Sequence, residues 1–459
     1  MNETILEKIQ GFSLDAYRPI FPRELNLGEP LEPKAGNLAT VITGMRRSGK
    51  SYRLFQAMDS LEQCGVESSR MLYFNFEDDR LDPVTPRTGD DVLEAFFYLH
   101  PEAPTEGCYL FFDELQEMTG WGKWLRRIID TTKATIFVTG SSSKMLSAEF
   151  STELRGRTLE FIQYPYSFRE YVRFHYSNID TDAPAFSTTD RVRLQGAFRD
   201  YLRRGGFPAV QNQSEPQAVS MLQGYAQRVV ARDVLERHDL GSPRGITAFS
   251  RKIMRLCGRL LSLRKTENEL KSAGFPIGRA LLSDALSYFE EAFLIYSVRE
   301  RSRTVTDKDG GMAKAYPIDP GLARANAPAS TIDEGQALED AVCIELLRSL
   351  DVARDAAVSY LKTKEHGYEV DFVAGDALFD SDIQLVQVAT NLEGEKTRRR
   401  EYRALWEAMS EFGLKESVLV IEEGFEENIE RGGRVIHCIP AWKWFLRPLD
   451  RSDWPPSAS

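Results

Sequence analysis

The stretch VITGMRRSGKSYRL, residues 41–54, carries a short apolar run into a glycine-bounded loop and then straight into helical spacing. The loop reads G-x-x-x-x-G-K-[ST], with Gly44, Gly49, Lys50 and Ser51 at the fixed positions and Arg46, Arg47 and Ser48 between the glycines. Glycines allow the tight turn and let backbone N–H groups approach a phosphate chain, and the helix that opens near Lys50 adds its positive end. In such a loop Lys50 reaches the β- and γ-phosphates, the Ser51 hydroxyl helps to hold Mg²⁺, and Tyr52 completes the stretch. The apolar LATVI before it predicts a buried strand, and Leu54, Phe55, Met58 and Leu61 after it predict a helix. ATP and Mg²⁺ are therefore the expected ligands.

Working outward, GCYLFFDELQEM (107–118) is a second buried run, and it ends in Asp113-Glu114. Ligands of open α/β sheets sit beyond the carboxyl ends of parallel strands. Asp113 there is expected to hold Mg²⁺, and Glu114 to orient and polarise the attacking water. A helix cap at Asp113 is compatible with both roles. A third run, ATIFVTGSSSKML (134–146), brings Thr139 and Ser141 to the same rim, as partners of the γ-phosphate or the water, or as an ordinary serine-rich cap. The LRGR beyond it offers Arg155 and Arg157. We favour Arg157 as the arginine that neutralises transition-state charge, against the alternative of a solvated surface residue.

Composition sets the class. With 459 residues, 42% hydrophobic and 28% charged, the chain is expected to form several soluble globular domains. It has no run of 18 apolar residues, its first residues lack the apolar core of a signal peptide, and its five cysteines are scattered. A cytoplasmic protein without membrane, zinc or disulfide chemistry is expected. The net charge of −11 argues against bulk electrostatic attraction to nucleic acid. Residues 251–279 depart from it, with eight Lys/Arg and two Glu. Local positive charge of this kind is the footprint of a nucleic-acid-binding domain.

The same region predicts a winged helix-turn-helix. GITAFSRKIMRLCGRLL, TENELKSAG and PIGRALLSDALSYFEEAFLI read as three helices, and IYSVRERSRTV…GGMAKAYPID as a hairpin around a glycine turn. Arg279 and Ser283 would point outward from the recognition helix, and Arg299, Arg301, Arg303 and Lys308 would decorate the wing. A winged helix used for protein contacts, with a solvated basic face, is the alternative. Between the ATPase core and this region, QYPYSFREYVRFHYS and DYLRRGGFPAVQ read as helices, either closing over the nucleotide with Arg203 or Arg204 near the phosphates or acting as a spacer.

The last third begins with EGQALEDAVCIELLRSL, a helix carrying Glu339. A hairpin with EVDFV, the strand SDIQLVQVAT, the helix RRREYRALWEAM and two further strands follow. This order resembles the restriction-endonuclease-like nuclease core, in which an Asp at the Asp371 position and an E-x-K on the next strand hold Mg²⁺ and position water. Here Gln387-Val388-Ala389 stands at the E-x-K position, and no lysine follows closely on that strand. An amide and an alanine cannot replace a metal ligand and a water-orienting lysine, so the module is expected to be degenerate and without nuclease activity.

GMRRSGKS, FNFEDDRL, LFFDELQEM, VTGSSSKMLS, LRGR, YPYSFREY, LRRGGFP, YPIDPGL, LEDAV and YEVDFV…IQLVQVA together resemble the bacterial and archaeal AAA-type ATPases that carry a C-terminal nuclease-like domain of unknown function. The resemblance implies an α/β fold: a P-loop AAA-type ATPase core, then a winged helix-turn-helix domain, then a restriction-endonuclease-like α/β domain. It also implies ATP hydrolysis, binding to DNA with branched forms such as four-way junctions included, and a homo-oligomer in which Arg157 completes a neighbour's site. The expected boundaries are an N-terminal arm over 1–30, the ATPase core over 31–165, a helical lid or linker over 166–240, the winged helix over 241–325, the nuclease-like domain over 330–445 and a tail over 446–459. The leading expectation is a Mg²⁺-dependent ATPase that couples hydrolysis to DNA remodelling or assembly. The alternatives are a nucleotide-gated signalling switch with protein partners, and an ATP-regulated metal-dependent nuclease.

Overall fold

The computed structural model describes residues 2–141, 154, 156–301, 313–327, 334–350, 356–376 and 383–447. Apart from Glu291–Phe293, the chain divides into two compact units, one running to Tyr164 and the other from Pro165 onward.

The first unit is built on five strands, β1 (Ala39–Thr43), β2 (Met71–Asn75), β3 (Cys108–Asp113), β4 (Ala134–Gly140) and β5 (Thr158–Ile162). All are parallel, in the order β2-β3-β4-β1-β5. β1, β3 and β4 are buried along their whole length, which is why they read as unbroken apolar runs rather than as alternating ones. The two-residue period still divides their side chains. Val41, Leu110, Phe112, Ile136 and Val138 pack on one face with the helices Pro86–Leu99 and Trp121–Thr131. Ile42, Tyr109, Phe111 and Phe137 pack on the other with Leu54, Phe55 and Met58 of the helix Lys50–Gln63. The chain leaves β1 toward β2, three strands away on one side, while β5 lies on the other side. The carboxyl end of β1 is therefore the switch point where such sheets open a crevice.

The second unit holds an eight-stranded sheet in the order β12-β13-β11-β10-β9-β8-β6-β7. Its strands are β6 (Ile295–Glu300), β7 (Lys314–Pro317), β8 (Ala356–Lys362), β9 (Glu369–Asp376), β10 (Ile383–Ala389), β11 (Glu416–Ile421), β12 (Glu427–Arg431) and β13 (Arg434–Pro440). β8, β9 and β10 form an antiparallel meander, and β10, β11 and β13 are parallel. The helix Glu395–Phe412 connects β10 to β11 and packs Leu405 and Met409 on one face of the sheet. The helix Glu334–Ser349 packs Leu338 and Val342 on the other.

The helical region before β6 differs from the sequence reading in one respect. The first helix spans Pro243–Arg255 and stops well before Leu261. Gly258 turns with φ +70°, the N–H groups of Gly258 and Leu261 donate to Ala315 and Ala313, and Leu260 bridges Lys314. Strand-like pairing to β7 thus takes over the end of an otherwise helical pattern. The helices Leu263–Ser272 and Arg279–Glu291 follow, then the antiparallel pair β6–β7. That pair also joins β8 through Arg299↔Ser359 and Glu300↔Tyr360. The stretches expected as two domains, 241–325 and 330–445, therefore share one sheet.

Candidate functional site

The loop after β1 has the backbone that phosphate binding demands. Gly44 has φ +143°, and a Cβ there would lie 2.3 Å from the Gln163 carbonyl oxygen, so no side chain fits. Gly49, at φ +104°, caps the helix that begins with Lys50 and Ser51. Lys50 is buried, and its Nζ donates to the Gly44 and Met45 carbonyls at 3.1 and 3.3 Å. The same ammonium lies 3.4 Å from Glu114 Oε1. Among the described residues, the buried Ser48 Oγ has no hydrogen-bond partner, which leaves a polar atom for a ligand.

Asp113 closes β3 and is fully buried. Thr139 Oγ1 donates to its Oδ1, and Tyr73 OH and Asn75 Nδ2 donate to its Oδ2 at 2.8 and 3.4 Å. The nearby Ser51 hydroxyl favours the charged form of the same carboxyl. Burial, and next the Glu114 charge, push the Asp113 pKa up, a penalty that a bound cation would relieve. Glu114 sits at φ +52°, a left-handed backbone that is uncommon for a non-glycine residue and typical of strained functional positions. Its N–H donates to Thr139 Oγ1 at 3.0 Å, so one threonine hydroxyl ties both acids in place. Burial opposes the Glu114 charge, but Lys50, Gln116 and Arg46 outweigh it and hold the carboxyl below its ordinary range. The Ser51 hydroxyl and the Asp113 carboxylate are the hard oxygen donors that suit Mg²⁺.

The remaining nucleotide-site candidates divide into two groups. Ser141 is buried at the rim and accepts from Gln116 Nε2 at 3.3 Å. Arg46 is held by Glu77 at 2.8 Å and Glu117 at 3.4 Å, and Arg47, between the two glycines, adds a third positive φ to the loop, +71°. Tyr52 is exposed, with its ring edge-on to Tyr17 at 6.1 Å. Arg157 lies elsewhere. It directly precedes β5 at the amino end of the sheet, opposite the loop, and pairs with Asp130 at 3.1 Å. Arg155 lies outside the described residues.

Sequence reasoning missed Arg23, Tyr73, Asn75 and Gln116. Arg23, from the N-terminal arm, is buried and donates to the Ser48 carbonyl at 3.0 Å and the Tyr164 carbonyl at 2.8 Å, pinning the phosphate loop to the chain after β5. Bonds to backbone carbonyls leave no motif. Asn75 and Glu77 did carry a signal, since both fall in FNFEDDRL.

In the second unit, Arg279 opens its helix, is exposed and pairs with Glu267 at 3.3 Å. Arg299 is exposed on β6. Arg301 is buried, and its N–H donates to Tyr360. It is therefore not a solvated wing residue. Arg303 and Lys308 lie outside the described residues. Arg204 donates to the Val210 and Gln213 carbonyls, and Arg203 lies 3.8 Å from Glu334. Glu339, Glu369 and Asp371 gather around a lysine after all: Lys314 of β7, which lies far from the E-x-K position in sequence.

The fold and this site are those of a P-loop nucleotide-binding domain, and residues 36–172 match the family model of an AAA domain. Residues 195–333 match a domain of unknown function, DUF8612. The chain belongs to the family of the uncharacterized protein MJ1544 of Methanocaldococcus jannaschii, to which it is 32% identical over 416 residues, 89% of this chain and 88% of that one. An uncharacterized protein of Haemophilus influenzae is 30% identical over 375 residues, 81% of this chain and 87% of its own. Among solved structures, the Walker-type ATPase PABY2304 of Pyrococcus abyssi is similar at a TM-score of 0.42 and 16% identity, covering 68% of this chain and 99% of that one. The Orc1 protein of Aeropyrum pernix, solved in complex with DNA, reaches 0.30 at 14% identity, covering 64% of this chain and 87% of its own. Likeness at these scores carries nothing about activity. No helix among the described residues is long and apolar enough to cross a membrane.

Proposed function

We propose that this chain hydrolyses ATP with Mg²⁺ and couples the reaction to DNA, with branched DNA among its substrates. The observation that supports hydrolysis most directly is the buried ion pair of Glu114 with the loop's Lys50, next to the fully buried Asp113 at the end of β3. Mg²⁺ supplies charge neutralisation at the phosphates when bound. Lys50 is the cation for the β- and γ-phosphates, and Ser51 and Asp113 are the metal's protein donors. Glu114 is ionised at neutral pH and can accept a proton from the attacking water. Thr139 orients both acids, and Arg157 serves a neighbouring subunit of a cytoplasmic homo-oligomer.

The DNA half rests on the order of elements between Pro243 and Pro317: helix, bridge at Leu260, two helices and a hairpin. That is the order of a winged helix, and it lies in the chain's most basic stretch. Arg279 and Arg299 are the exposed contacts. The test is the ATPase rate with and without duplex, single-stranded and four-way-junction DNA at fixed salt. Stimulation by DNA is expected. Absence of turnover removes the ATPase half, and turnover indifferent to every DNA, with no binding, removes the DNA half.

A further inference from the structure

Side chains two residues apart on a helix point away from each other. Glu114 and Gln116 meet nonetheless, because the left-handed backbone of Glu114, at φ +52°, opens the single helical turn Leu115–Glu117. Gln116 Nε2 donates to Glu114 Oε2. The same nitrogen lies 3.3 Å from Ser141 Oγ, just past β4, and 3.4 Å from Glu117 Oε1, which also accepts from Arg46 of the phosphate loop. A primary amide has two N–H groups for these three acceptors, so the bonds are shared. Its carbonyl oxygen, Oε1, is buried and has no hydrogen-bond partner among the described residues. An amide oxygen left so is costly. Gln116 therefore does little for the fold through its oxygen, and the acceptors of the nucleotide site set its orientation.

The two oxygens of the Glu114 carboxylate are divided between two partners. Oε1 lies 3.4 Å from Lys50 Nζ, and Oε2 accepts from Gln116. A bound nucleotide draws on Lys50 for its β- and γ-phosphates, so the ammonium's hold on Glu114 is then shared with them. Gln116 stands on the same turn as Glu114 and carries no charge for the phosphates to attract. Ser141 accepts from the amide through Oγ and still has its own O–H to give, to a γ-phosphate or to the attacking water. We propose that Gln116 is a positioning residue for hydrolysis, which keeps the Glu114 carboxylate on the attacking water once Lys50 has turned to the phosphates and ties that pose to Ser141 at the rim. The proposal deepens the ATPase reading and rests on it.

The test uses the full chain with Mg²⁺ and ATP. It compares wild type, Gln116→Met, Glu114→Gln and the double variant Glu114→Gln with Gln116→Met. Steady-state rates give kcat and KM, and a fluorescent ATP analogue gives affinity. Methionine keeps the length of the side chain and removes its N–H groups. Gln116→Met is expected to lower kcat about tenfold or more, with KM and analogue affinity unchanged. Gln116→Glu, which keeps the shape of the amide and sets an acceptor against Glu114, is expected to lower kcat at least as far and serves if methionine disturbs folding. The double variant is expected to be no slower than Glu114→Gln alone, because a residue that acts through Glu114 then has no carboxylate left to position. Wild-type kcat in Gln116→Met and Gln116→Glu, or an equal loss with and without the Glu114 carboxylate, overturns the proposal and leaves the ATPase reading standing. A loss confined to KM and analogue affinity does the same. Wild-type protein that binds the analogue and never turns ATP over overturns both.

Discussion

Lys50 and Glu114 are each other's counter-charge in a pocket that water barely reaches. Lys50→Ala removes the fixed cation for the phosphates and leaves the buried Glu114 with only Gln116 and Arg46 to offset its charge. The variant is expected to lose tight ATP binding and also to unfold more easily, by about 3–5 kcal/mol, the usual result of breaking a buried pair from one side. Equilibrium binding of a fluorescent ATP analogue and a urea midpoint check the two effects separately, and full turnover would dismiss the loop assignment. Glu114→Gln keeps the size and a hydrogen-bonding end but cannot accept a proton. It is expected to bind ATP and to hydrolyse it about 100-fold more slowly. Turnover near wild type would make another residue the base. The sequence disclosed these residues because phosphate chemistry fixes both their types and their spacing. Arg23 and Lys314 were invisible in it for the opposite reason: each meets its partners through the fold, and nothing local constrains where such a residue falls in the chain.

Elements meet through glycines that the sequence showed only as motifs. Gly205, at φ +74°, ends the helix Thr188–Arg204, and Gly206 passes so close to Tyr166 that a Cβ would lie 2.2 Å from its carbonyl oxygen. The Gly206 N–H donates to Asp319 Oδ2 at 2.6 Å, and Asp319 Oδ1 accepts the Leu322 N–H at 2.8 Å to cap the next helix, Pro320–Asn326. YPYSFREY, LRRGGFP and YPIDPGL are therefore three sides of one junction, a fact that spacing along the chain could not carry. Gly206→Ala is expected to destabilise the protein by about 1–3 kcal/mol through overpacking against backbone that has little room to move. A urea midpoint unchanged from wild type would mean that the junction yields freely. Strand and helix types in the last third were legible from period and turn residues. The helix end at Arg255 was not, because the competing partner, β7, enters from a distant part of the chain.

At the scale of the whole molecule, Arg157 decides whether one chain suffices. β5 runs parallel to β1 with Thr158 opposite Ala39, so Arg157 stands at the amino end of the sheet while the phosphate loop leaves the carboxyl end after Thr43. Five strand residues separate the two levels by about 16 Å, beyond the reach of an arginine that is already paired with Asp130. An arginine that neutralises transition-state charge is worth about 10³-fold or more in turnover. If Arg157 is that arginine, as we propose, it serves another copy of the chain. Arg157→Ala is expected to abolish turnover while leaving ATP binding intact. Mixed with Lys50→Ala, it should recover: the Lys50→Ala copy binds no nucleotide but still offers Arg157, and the Arg157→Ala copy keeps an intact loop to receive it. ATPase activity that rises on mixing two inactive variants, and rises with protein concentration, checks the arrangement. If the mixture stays inactive while both variants still assemble, Arg157 is a structural partner of Asp130, and the charge at the transition state must come from a different residue.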